Sequence, residues 1–329
     1  MRESESSGDV GLAAEAAAPM PVPAARWGWT ETSLLAMVLV WGANFAVVKA
    51  ALHTFDPLAF NAARFVIASV FVLVVLRLQG PIPLPDRRDV PRLAAIGILG
   101  NVVYQAAFIL GLSRTLAGHA SVVMALSPMF VALLSRWTGH EQPGARTWTG
   151  AAASILGIAL VTSSNLRAGA PTSALVGDVI LVGGALLWAG YTVASRPLVQ
   201  RYGSVPTTAW TLWVGTPPLV LLGAPALARQ EWSRVPPAAW GGLFFSACLS
   251  IGAAYLIWYR GVERIGNTRT AIFSNLTPLV ALAVSAIWLG ERPGPVALIG
   301  VALTLGGVAW VRTDAGRPVP AAREVDAAG

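Results

Sequence analysis

Apolar stretches of about twenty residues recur along the chain, each closed by proline, glycine or charged residues. A hydrocarbon layer about 30 Å thick takes roughly 20 helical residues per crossing. Ten runs meet that length: 31–53, 57–79, 91–112, 117–137, 145–164, 176–198, 206–227, 238–260, 268–289 and 295–312. In lipid each crossing must satisfy its own backbone hydrogen bonds, so the runs read as helices and the fold as all-α and integral to a membrane. Connections are short; the longest, 80–90, leaves no room for a soluble domain. Residues 1–30 and 313–329 lie outside the pattern. They are rich in Ala, Pro and charge and lack the basic start and apolar core of a signal peptide, so both read as disordered tails.

Composition agrees, with 55% hydrophobic and 12% charged residues and a mean hydropathy of +0.63 over 329 residues. The net charge of +7 comes from scattered arginines, Lys49 being the single lysine, so the clustered basic face of a nucleic-acid binder is absent. One cysteine, Cys248, excludes an intrachain disulfide, and three dispersed histidines give no metal site. No cofactor is expected. Assigning the basic residues to alternate sides puts 16 on the side of the amino terminus and six on the other. That asymmetry predicts both termini in the cytoplasm of a multi-pass protein of the cell membrane.

The chain also repeats itself. Residues 111–161 align without gaps on 261–311 at an offset of 150. The matches include Gly111/Gly261, Pro128/Pro278, Ser135/Ser285, Glu141/Glu291, Pro143/Pro293, Gly150/Gly300 and Gly157/Gly307. Trp41 and Trp188 hold similar places in the first run of each half. Each half holds five crossings, an odd number, so the second copy must enter from the opposite side, giving two inverted repeats over 31–165 and 175–312.

In their order and spacing several segments carry a resemblance: WGANFAVVKAAL (41–52), DPLAFNAARF (56–65), HASVVMALSPMFVALLSRW (119–137) with HEQPG (140–144), GDVILVGGALLWAGYTVASRP (177–197) and TAIFSNLTPLVALAVSAIWLGERPG (270–294). Together they resemble the EamA branch of the drug/metabolite transporter superfamily over 31–312. The resemblance implies ten helices in two EamA repeats, a central solute cavity between them, and export of metabolites, amino acids or toxic compounds without ATP. His140 departs from the pattern, since the second copy has Gly290 at that place.

Ionisable groups inside spans are the first candidates for chemistry, because the bilayer penalises them. Lys49 and Arg64 fall in the outer third of the first two helices, placed to meet an anionic solute group or to pair with Asp178, the one acid inside a span apart from Glu31 at the very start of the first. Their structural alternatives are snorkelling for Lys49 and backbone carbonyls for Arg64. Trp41, Asn44, Trp188 and Tyr191 occupy matching regions of the first and sixth helices, and Tyr104, Gln105, Tyr255 and Trp258 those of the third and eighth. An aromatic wall with few fixed polar groups suits amphipathic small molecules, whereas interfacial belts and helix-to-helix bonds are the plainer roles. The expectation for energy coupling is either weak coupling to protons through Asp178, His119 or Lys49, or facilitated movement of the solute down its gradient. Pro128 and Pro278 are expected to kink the fourth and ninth helices, and Pro217 with Pro218 to break the seventh. Glu141 and Glu291 are expected to cap the helices that follow them.

No glycine-rich loop ends in Lys-Ser/Thr, so ATP does not drive the process. A membrane enzyme would need a nucleophile and base within the spans, and His119 with Ser121 is a weak pair. The expectation is a secondary carrier, neither enzyme nor pump, with a receptor or scaffold as the rival reading. Its partners are a small-molecule solute and the lipid bilayer, homodimerisation being left open.

Overall fold

A computed structural model describes residues 28–81, 84–137, 145–167, 172–258, 260–261, 264, 273 and 276–313. The tails, apart from 28–30 and 313, together with His140, Glu141, Tyr259 and the start of the ninth run, lie outside the described residues. Among the described residues every regular element is helical. The order is α1 (Trp29–Ala51), α2 (Pro57–Gln79), α3 (Val90–Ile98), a π-helical segment Leu99–Val103, α4 (Tyr104–Arg114), α5 (Ala117–Met124), α6 (Ser127–Trp137), α7 (Ala145–Arg167), α8 (Thr172–Tyr202) and α9 (Ser204–Arg229). A 3-10 turn (Trp232–Arg234), α10 (Pro237–Phe244), a second π-helical segment Phe245–Ala253, helical residues 254–258 (α11), α12 (Thr277–Trp288) and α13 (Pro295–Thr313) complete it.

Six helical stretches are long and apolar enough to cross a bilayer: Trp29–Ala51, Pro57–Leu78, Val90–Arg114, Thr172–Tyr202, Val205–Arg229 and Pro237–Trp258. Four shorter apolar helices accompany them, within 117–131, 148–161, 277–288 and 295–310. The polarity of the bundle is inside out. Leu78 and Ile287 are 82% and 86% exposed, while Asn61, Arg64, Asn101, Gln105, His119 and Asp178 are buried. An apolar exterior around an interior that holds charged and amide side chains matches a hydrocarbon solvent rather than water.

Local signals start and stop these helices. The Asp56 carboxylate accepts from the Leu58 and Ala59 amides and Pro57 opens α2, since the first-turn N–H that proline lacks has no helical partner anyway. The same preference corrects two expectations. The fourth run is not one kinked helix: it turns at 125–126, and Pro128 is the second residue of the new helix α6. Pro278 likewise is the second residue of α12, after a turn at Leu276. Pro217 and Pro218, expected to break a helix, lie within an uninterrupted α9, a tolerance that membrane helices show because neighbouring groups satisfy the freed carbonyls.

Pairing between helices crosses the two halves. α7 packs on α13, α2 on α9, α1 on α12 and α8 on α6. At α7 and α13 a Cβ built on Gly157 would lie 2.5 Å from the Gly300 carbonyl oxygen, one on Gly300 2.5 Å from that of Gly157, and one on Gly307 2.5 Å from that of Gly150. Ser154 Oγ donates to the Thr304 carbonyl at 3.3 Å and Thr304 Oγ1 to the Ser154 carbonyl at 3.5 Å. Residue numbers fall along α13 as they rise along α7, so the two helices are antiparallel. Their contacts are reciprocal between residues equivalent at the 150 offset. Gln230 bonds to Thr54 and Asp56 at the start of α2, whereas Arg201 and Tyr202 bond to Asp86 and Asp89 beyond its end. The 80–90 connection and the 230 turn therefore lie at opposite ends of a 23-residue helix, about 34 Å long at 1.5 Å per residue.

Gly157→Val and Gly300→Val each force two backbones apart and are expected to lower stability by about 2 kcal/mol or more. Gly306→Ala, where nothing lies within 4 Å of the added atom, is expected to be neutral or slightly stabilising. Thermal unfolding of the purified protein in detergent micelles compares the three.

Candidate functional site

Aromatic residues from both halves meet in the middle of the bundle. Trp188 of α8 lies 5.0 Å from the Tyr104 ring, 5.5 Å from Tyr191 and 6.3 Å from Tyr255. Tyr255 meets Trp41 of α1 edge-on at 6.0 Å, and Trp41 lies 5.5 Å from Trp258. All six aromatic residues singled out from the sequence thus join one continuous chain of rings. Trp41, Trp188, Tyr255 and Trp258 are half-buried, Tyr104 and Tyr191 buried.

The two π-helical segments hold these rings in place. Leu99–Val103 falls on the second part of Phe245–Ala253 at the 150 offset, so both halves widen their helix at the same point. Trp41 Nε1 donates to the Ser250 carbonyl at 2.9 Å. At the equivalent position of the first half, Gly100 lies directly beneath the Tyr191 ring, where a Cβ would come within 2.3 Å. Tyr191 hydroxyl and Thr211 Oγ1 are 3.2 Å apart, and Asn101 donates its amide to the Thr211 carbonyl at 2.9 Å. Asn101, Asn61 and Ser246 were not among the sequence candidates. Small or polar residues in an otherwise apolar run, as in 100–101 and 246–252, were the available signal.

Beside the rings lies Arg64, 2% exposed. Its Nη2 donates to Asn61 Oδ1 at 2.6 Å and Gln105 Oε1 at 2.7 Å, and its Nη1 to Ser246 Oγ at 3.3 Å. The backbone-carbonyl role considered for Arg64 is therefore replaced by side-chain oxygens. Asn44 is buried, and its Oδ1 has no hydrogen-bond partner in the protein.

A second cluster gathers at the α4–α5 turn. Lys49 Nζ donates to the Leu112 and Ser113 carbonyls, both at 3.0 Å, at the carboxyl end of α4. The Glu291 carboxylate accepts from the Ala117 and Gly118 amides at 2.8 and 2.9 Å, at the amino end of α5. Between them Thr115 Oγ1 donates to Asp178 Oδ1 at 2.6 Å. Cation at a carboxyl end and anion at an amino end both complement the helix dipole. Gly290, at φ +69°, ends α12 in the left-handed conformation that turns Glu291 towards α5.

This geometry corrects two expectations. Lys49 binds helix-end carbonyls rather than Asp178, because α4 ends within reach of its ammonium. Glu291 caps α5, a helix of the other half, rather than the helix that follows it, because the turn at Gly290 points the side chain backwards. His119 is buried beside these groups with Nδ1 lacking a hydrogen-bond partner, and Ser121 Oγ donates to the Gly118 carbonyl instead of pairing with it. The side chain of Pro128 is not among the described ones. Among the described residues no group of three potential metal ligands occurs.

Helical bundle, apolar exterior and internal duplication define a multi-pass membrane protein. The EamA-like transporter family profile matches residues 28–163 and again 175–313. Uncharacterized transporter YdfC of Bacillus subtilis is 28% identical over 274 residues, covering 83% of this chain and 88% of that protein. A protein of Streptantibioticus cattleyicolor named "Probable terminal-alkyne amino-acid exporter" is 30% identical over 281 residues, 84% of this chain and 91% of its own. One solved structure, titled only as the crystal structure of a protein, shares the fold with a TM-score of 0.60 at 20% identity, covering 88% of this chain and 99% of that one. The chain belongs to the EamA-like transporter family: it is a membrane transporter.

Replacing Glu291 by Gln puts an amide nitrogen against one of the two α5 amides. Glu291→Gln is expected to cost about 1–2 kcal/mol, read as a lower midpoint of thermal unfolding in detergent.

Proposed function

We propose that the protein is a secondary carrier that moves small amphipathic, amino-acid-like solutes out of the cell by alternating access. In this reading ten helices form two inverted five-helix repeats in the cell membrane, with both termini cytoplasmic. The solute sits among Trp41, Asn44, Arg64, Tyr104, Gln105, Trp188, Tyr191, Tyr255 and Trp258. The reading rests above all on the ring chain to which both halves contribute: Trp41 and Tyr104 from the first, Tyr255 and Trp188 from the second. A rocking of one half against the other changes that chain before any other part of the interior. The reciprocal α7–α13 contact supplies a fixed axis for such rocking, and the name of the Streptantibioticus relative supplies the solute class.

The α4–α5 turn acts as the closing end. Lys49, Asp178 and Glu291, from three separate elements, hold it in the state described here. No bond-making chemistry is assigned to the chain.

Flux of L-propargylglycine from proteoliposomes tests the carrier reading, with trans-stimulation by the same solute as the expected result. In a Cys248→Ser background, thiol cross-linking of Leu116→Cys to Arg292→Cys is expected to stop that flux and reducing agent to restore it. Undiminished flux through cross-linked protein would show that this end does not open in the cycle.

A further inference from the structure

Every described hydrogen bond of the Arg64 guanidinium goes to a neutral oxygen: two amide carbonyls, of Asn61 and Gln105, and one hydroxyl, of Ser246. Its carbon lies 5.5–5.9 Å from the ring centres of Phe60, Phe65 and Phe108. Among the described residues, the titratable groups within its electrostatic reach are the phenols of Tyr104 and Tyr255, with no acid among them. A full charge buried in a bilayer without a counter-ion is costly, and proteins neutralise such groups by pairing. The contrast within the chain is direct, since Lys49 and Glu291 each meet a helix end of opposite polarity.

The donors left over around Arg64 are also specific. Arg64 Nε and Asn61 Nδ2 are both buried and have no hydrogen-bond partner in the protein. Unused donors beside an uncompensated cation are complementary to an anion with several acceptor lone pairs, which a carboxylate provides. The adjoining rings of Tyr104 and Tyr255 belong to the aromatic chain, so the rest of the bound molecule meets an apolar surface. Arg64 is 2% exposed, so the anion reaches it only when the halves move apart.

We infer that Arg64, with Asn61 and Gln105 orienting it, is the binding site for the carboxylate of the transported solute, which serves as its missing counter-ion. This rests on the carrier reading and narrows it to carboxylate-bearing molecules with an apolar body. A decarboxylated amine of the same shape lacks the group that Arg64 needs.

A matched set of L-phenylalanine, 3-phenylpropionate and 2-phenylethylamine tests it, using thermal stabilisation of the purified full-length protein and competition against flux in proteoliposomes. The two carboxylates are expected to stabilise the protein and the amine not to. Asn61→Asp places an acid within 2.6 Å of Nη2 without changing side-chain size. That variant is expected to unfold at a higher temperature than the parent and to bind the carboxylates at least about tenfold more weakly; a purely structural Arg64 predicts the first effect without the second. Arg64→Lys keeps the charge and is expected to weaken binding while retaining the preference for carboxylates. Stabilisation by the amine equal to that by the carboxylates, no stabilisation by any of the three, or undiminished carboxylate affinity in Asn61→Asp overturns the assignment. Flux of the amine with carboxylates inert leaves the carrier reading standing and removes only this one. Carboxylate binding without flux does the reverse.

Discussion

In hydrocarbon an apolar helix gains nothing by leaving its solvent, so helices associate only where their backbones come close enough for dense packing and hydrogen bonding. Here that constraint is met by glycine. α7 and α13 touch carbonyl to α-carbon at Gly150, Gly157, Gly300 and Gly307. α3 and α9 do the same at Gly97 and Gly215, where an added Cβ would lie 2.8 and 2.7 Å from a facing carbonyl oxygen, and α1 meets α12 at Gly42. With those contacts set, α1 rests on the second half and α8 on the first. The interior is therefore shared by construction, and rings of both halves meet in it.

Charge is distributed through that interior in two ways. At the α4–α5 turn, Lys49 and Glu291 satisfy helix termini and Asp178 accepts a hydrogen bond from the Thr115 hydroxyl. These are compensated groups, and their energy resists separation of the elements they join. Around Arg64 the partners are neutral. On the proposed reading the first site holds the bundle shut and the second receives the solute, the division of labour a carrier requires.

Departures from regular α-helix recur beside the rings. The π-helical segments Leu99–Val103 and Phe245–Ala253 precede Tyr104 and Tyr255, and the turns at 125–126 and 276 precede Pro128 and Pro278. π-helical turns inside longer helices recur at functional sites because their looser hydrogen bonding permits small shifts. They occur at equivalent places in both halves, each within two residues of a tyrosine of the ring chain.

Much of this was open to reading along the chain. The length of the apolar runs depends only on bilayer thickness and helical rise, and the duplication on matched Pro, Glu and Gly positions, so helix placement and the two-part organisation were legible. The aromatic candidates were legible too, because Trp and Tyr at matching positions of two copies converge when the copies face each other. Partners were not. Whether Lys49 meets an acid or a helix end, whether Glu291 caps its own half or the other, and whether Pro128 bends a helix or begins one depend on contacts between segments distant in sequence. The sequence alone therefore determined the apolar, helix-forming stretches and their duplication, because these follow from local composition and spacing, and the tertiary structure decided which buried charges are neutralised, because neutralisation is a property of pairs that only packing brings together.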